Sequence, residues 1–126
     1  MTNPNKAKGD RFELELTRYL ADVHGRQVRR PHQEGYEDVG DIHLSPFVIQ
    51  AKNWRTITEA LNVGLAGAHV QAEHAEEPYG VVAVKRRGKP ASQAYVAMTA
   101  ETFRDITKRL ADAESALAEA ERHWCV

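Results

Sequence analysis

Phe12, Leu16, Tyr19, Leu20 and Val23 recur at steps of three and four residues, the spacing that gathers side chains on one face of an α-helix. The pattern predicts a helix over residues 6–24, closed by Gly25, a residue that accepts the left-handed backbone of a helix end. The polar rhythm then changes. RQVRRP at 26–31 opens with a short extended piece over 27–30, residues 31–40 are polar and read as a loop, and two apolar runs follow at 41–44 and 47–52 across a Ser-Pro turn. Along FVIQAK at 47–52, side chains alternate faces. Phe47, Ile49 and Ala51 point one way, and Val48, Gln50 and Lys52 the other, so a polar pair closes one face of an otherwise apolar strand.

A second helix is predicted over 57–75, with Leu61, Leu65, Ala68 and Ala72 toward the core. GVVAVK at 80–85 suits a central strand, 86–90 a turn and 94–98 a further strand. Thr99 has N-cap chemistry and opens the last helix. The order α-β-β-β-α-β-β-α specifies an α/β fold, a mixed sheet flanked by helices. At 126 residues, 42% apolar and 28% charged, the chain is expected to form one domain with a modest core. Within it, residues 1–100 form the α/β core and 101–126 a C-terminal amphipathic helix. No apolar run approaches the ~20 residues of a bilayer span, and MTNPNK at the start lacks the apolar centre of a signal peptide. A cytoplasmic protein without a membrane partner is the expectation.

The net charge of −1 conceals segregation. Residues 59–77 hold four acidic groups and no Lys or Arg, whereas basic residues gather at Arg26, Arg29 and Arg30 with His32 close by, and at Lys85, Arg86, Arg87 and Lys89. Two basic clusters on one side of a fold would neutralise phosphates. The single cysteine, Cys125, excludes an intramolecular disulfide and a cysteine-based zinc site. His69 and His74 are five apart, off the helical spacing of a zinc pair. The chain has no Gly-rich phosphate loop and no supported Ser-His-Asp or Cys-His arrangement.

The chemistry concentrates in GDIHLSPFVIQAKNW at 40–54. An Asp at the start of one hairpin strand and an amide oxygen on its partner, reaching a common point, form the oxygen site that a hard cation such as Mg²⁺ accepts. Lys52 shares the face of Gln50. An ammonium there would orient a water and offset charge developing on a phosphate under attack. Helix acids lie nearby in sequence: Glu13 and Glu15 fall on opposite edges of the apolar stripe, and periodicity does not choose between them. Asp38 is a rival of Asp41 but lies three residues before the strand. Trp54 would pack in the core or stack on a base.

These residues resemble the PD-(D/E)XK nuclease superfamily, in particular the archaeal-type and phage Holliday-junction resolvases and their Mrr-like relatives. KGDRFE at 8–13 is similar to the family's helix opening, Gly40-Asp41-Ile42 to its Asp motif, and Gln50-Ala51-Lys52 stands where Glu-x-Lys is expected. The likeness spans residues 8–99. It implies a restriction-endonuclease-like fold and a Mg²⁺-dependent, or Mn²⁺-dependent, DNA endonuclease acting on branched DNA. It favours Glu13 as the helix acid. Glu13, Asp41 and Gln50 would hold the metal and Lys52 would position the water. Arg29, Arg30, His32 and Gln33 would face DNA, with Lys85, Arg86, Arg87 and Lys89 as the second basic element, and Gln71 would support the site. Gln50 departs from the family's Glu: its carbonyl still ligates a cation but brings no charge. The rival readings are a restriction-like or single-strand nuclease and a non-catalytic DNA-binding subunit.

Along the last helix, Phe103, Ile106, Leu110, Ala113, Leu117, Ala120 and Trp124 alternate steps of three and four, a heptad-like seam. Its first half, Phe103 to Leu110, is expected to cover its own sheet. Its Ala-rich second half is expected to join a homodimer, whose two-fold symmetry would carry two sites to opposing strands.

Overall fold

The computed structural model describes residues 4–31 and 41–124; His32, Gln33, Asp38, Gly40 and Cys125 lie outside them. Helix α1, Pro4–His24, opens on a proline at a position where the missing N–H costs no hydrogen bond. It ends as its composition dictates, at Gly25 with φ +58°, and runs into a 3-10 turn, Gly25–Gln27. Four strands follow: β1, Ile42–Leu44; β2, Phe47–Lys52; β3, Tyr79–Val84; and β4, Tyr95–Ala97. Helix α2, Ile57–His74, connects β2 to β3, and helix α3, Ala100–Trp124, follows β4.

The sheet is mixed, in the order β1-β2-β3-β4. β2 and β3 form its parallel centre, and β1 and β4 are short antiparallel edges. A parallel pair needs a crossover, which α2 supplies. Ser45 and Pro46, joined by a cis peptide bond, link β1 to β2.

Two apolar layers sandwich this sheet. On one face Phe12 and Leu16 of α1 pack with Ile42, Ile49, Val81 and Ala83; on the other Ala60 of α2 packs with Val82 and Val84. All six residues of β3 are buried, as a strand covered on both faces requires. Small residues set how closely α2 lies. A Cβ on Gly80 would stand 2.2 Å from the Ala68 carbonyl oxygen, and one on Gly64 would stand 2.6 Å from Val82 Cγ2.

The α/β expectation holds, with three corrections. The strand expected over 27–30 reduces to one bridge, Arg29 to His43, and its first residue, Gln27, is taken into the 3-10 turn that follows α1. Tyr19 and Val23 are exposed, since the last turns of α1 overrun the sheet that Phe12 and Leu16 cover. In α2 the expected face does meet the core: Ala68 and Ala72 are buried together with Ala60 and Gly64, and Leu61 and Leu65 pack half-buried against the cluster of Ala60, Val82 and Val84.

The third concerns α3. Thr99 caps it as expected, its Oγ1 accepting the Thr102 N–H at 3.2 Å. Yet no residue of α3 is buried, and Phe103 and Leu110, expected to cover the sheet, are 59% and 58% exposed. The helix leans on the body through its flank instead. Tyr79 Oη donates to Asp105 Oδ2 and accepts from Arg109 Nη1 at 3.2 Å, while Thr102 and Ile106 are half-buried. No described helix is long and apolar enough to cross a membrane.

Candidate active site

The hairpin puts the start of β1 beside the end of β2. Its register pairs Ile42 with Ile49, and one step further Asp41 stands opposite Gln50. Asp41 Oδ2 accepts the Ala51 N–H at 2.9 Å. The carboxylate is thereby fixed at the peptide lying between Gln50 and Lys52, by a charge-assisted hydrogen bond of the stronger kind.

Gln50 and Lys52 project toward α2, as their alternation with Ile49 and Ala51 requires. Gln50 is buried, and its Oε1 has no hydrogen-bond partner among the described residues. An orphaned buried carbonyl oxygen in a native fold calls for a donor or a cation, and beside a fixed carboxylate the oxygen chemistry suits Mg²⁺. Lys52 is half-buried. Gly64 makes room for its stem, since a Cβ there would sit 3.3 Å from Lys52 Cγ. The Lys52 ammonium lies over the Trp54 ring, 4.6 Å from its centroid. Trp54 is therefore neither a core residue nor an isolated stacking platform: it holds the cation, an attraction of ~0.5–1 kcal/mol at exposed sites and more when desolvated. The two-residue spacing from Lys52 along an extended segment was the signal for this contact.

The first turns of α1 reach the same end of the sheet. Asn53 Nδ2 donates to the Lys8 carbonyl at 3.4 Å. Of the two helix acids, Glu15 is exposed and Glu13 half-buried. Glu13 Oε1 accepts from Arg30 Nε at 2.9 Å. Arg30, expected to face DNA, is thus engaged by the helix acid, and Arg29 joins His43 through backbone hydrogen bonds of 2.8 and 2.7 Å.

The second basic cluster follows β3, whose parallel register with β2 pairs Val84 with Lys52. The turn is therefore at the Lys52 end, and the Lys85 N–H donates to the Lys52 carbonyl at 2.9 Å. Lys85 Nζ closes the turn on the Lys89 carbonyl, Gly88 takes φ +72°, and Arg86 stacks on Tyr95. Arg87 and Lys89 are exposed. Basic side chains thus flank Asp41, Gln50 and Lys52 at the carboxyl ends of the parallel strands, where open α/β sheets bind ligands.

Gln71 is not part of this assembly. Gly64 lies against Lys52 and Val82, whereas Ala68 lies against Gly80; α2 runs antiparallel to the strands, so Gln71, buried one turn beyond Ala68, is at the opposite end of the sheet. His32 and Gln33 fall outside the described residues.

Among the described residues no three His, Cys, Asp or Glu side chains are grouped to hold a metal. The oxygen groups that the hairpin brings together are one fixed carboxylate, Asp41, and one orphaned amide, Gln50; Glu13, on α1, is bound by Arg30. No family model, curated protein or solved structure matches the chain.

Proposed function

We propose that the chain is a Mg²⁺-dependent DNA endonuclease with a restriction-endonuclease-like fold, selective for branched DNA and acting as a homodimer. The observation that carries the reading is the Asp41 carboxylate bonded to the peptide between Gln50 and Lys52, beside a buried amide oxygen lacking a donor among the described residues. Asp41 and Gln50 would hold the cation, with Glu13 joining once Arg30 releases it to a phosphate. A bound divalent cation supplies Lewis-acid polarisation of a phosphate oxygen and offsets its charge. Lys52, steered by Trp54, orients the attacking water and stabilises the charge gathering on the phosphate. Arg87 and Lys89 neutralise flanking phosphates, a contribution that weakens as salt rises.

The Gln at position 50 and the Arg30–Glu13 ion pair favour a second reading, a DNA-binding subunit without catalysis. The test is cleavage of a labelled four-way junction beside linear duplex, single strand and flap, in Mg²⁺ and then in EDTA. Junction cleavage that EDTA abolishes supports the proposal, and equal cleavage of linear DNA transfers the chain to a restriction-like nuclease. Binding without cleavage of any substrate in Mg²⁺ or Mn²⁺ replaces catalysis with the binding reading.

A further inference from the structure

We infer that α3 pairs with α3 of a second copy in antiparallel orientation. The inference deepens the homodimer part of the proposed function, and its test reads mass and cross-linking rather than cleavage. The body uses only the flank carrying Thr102, Asp105, Ile106 and Arg109. Apart from the half-buried Ile106, the seam is left to solvent: Phe103, Leu110, Leu117 and Trp124 are 59%, 58%, 56% and 88% exposed.

The charges on the page select both occupant and direction. Residues 100–110 carry Arg104, Lys108 and Arg109 against Glu101 and Asp105, and residues 111–124 carry Asp112, Glu114, Glu119 and Glu121 against Arg122. One half is therefore net basic and the other strongly acidic. Within one helix Lys108 pairs with Asp112 at 2.8 Å, and Glu114, Glu119 and Glu121 have no ion pair among the described residues. Parallel pairing would set acidic half against acidic half. Antiparallel pairing sets each acidic half beside the other copy's basic half and also opposes the helix dipoles.

Side-chain sizes agree with this direction. With Phe103 opposite Ala120 of the other copy, Ile106 meets Leu117 and Leu110 meets Ala113, so large residues largely face small ones and the axes can approach closely. The strip from Phe103 to Trp124 is about 32 Å long and roughly 10 Å wide. That is smaller than the ~800 Å² per partner of a standard interface, so the dimer is one that dissociates on dilution.

Sedimentation equilibrium of the full chain tests the pairing. At tens of micromolar the mass should approach twice 14.1 kDa and fall on dilution, and Leu117→Lys should weaken association by more than about tenfold while leaving the circular dichroism of the fold unchanged. Cross-linking tests the direction. In a Cys125→Ser background, oxidation of a mixture of Phe103→Cys and Ala120→Cys chains should give the mixed disulfide in preference to either self-linked product, because a disulfide spans only ~5.5 Å between Cα atoms. A monomer at every concentration, or a dimer indifferent to Leu117→Lys, overturns the α3 interface. Predominant self-linking of each variant overturns the antiparallel direction.

Discussion

Helices α2 and α3 invert the usual relation between sequence pattern and burial. α3 carries a regular apolar seam of large residues, yet none of its residues is buried. α2 presents to the sheet a face of Ala60, Gly64, Ala68 and Ala72, small residues with little apolar area, and lies so close that Gly80 and Gly64 have no room for a Cβ. Apolar periodicity says that a face will be covered; residue size decides how near the cover can come. The small face of α2 is matched to a sheet bearing Val82 and Val84, whereas the large seam of α3 finds no matching surface among the described residues.

Substitutions should reproduce the contrast. Ile42 is fully buried between α1 and the sheet, so Ile42→Ala should destabilise by ~2–5 kcal/mol in urea unfolding. Gly80→Ala should cost about 1–3 kcal/mol, because the obstacle is the Ala68 backbone carbonyl rather than a movable side chain. A Gly80→Ala protein as stable as the parent would mean that α2 does not lie so close. At the site, Gln50→Glu should tighten Mg²⁺ binding by about tenfold, ~1.4 kcal/mol, as read by calorimetry; weaker binding would remove Gln50 from the ligand set. On α3, Leu110→Ser should change stability by less than about 0.5 kcal/mol when measured at concentrations where the chain is monomeric. A loss as large as that of Ile42→Ala would show that the seam is covered by the chain's own body.

Local signals carried much of the fold. Gly25 and Thr99 mark helix ends through backbone freedom and a hydroxyl acceptor, and both act where the sequence places them. The alternation at 47–52 assigns Gln50 and Lys52 to one face because a strand has a period of two. What the sequence withheld depends on how elements meet. That Arg30 turns to Glu13 requires knowing where α1 passes the extended segment, seventeen residues later. The remoteness of Gln71 follows from the direction of α2 along the sheet, which spacing within the helix does not encode. The exposure of Phe103 follows from Tyr79 engaging Asp105 and Arg109, polar residues that a hydrophobic pattern ignores.

Cleavage by the Lys52→Ala variant tests the central claim most directly, since Lys52 lies at the end of β2 beside the fixed Asp41 and only half-buried. With Mg²⁺ and a labelled four-way junction, the variant should lose ~10²–10³-fold in single-turnover rate, the scale of one removed electrostatic stabiliser. It should retain junction affinity and a stability within about 1 kcal/mol of the parent. A variant that cuts the junction at the parental rate would contradict the account and place the chemistry away from the end of β2.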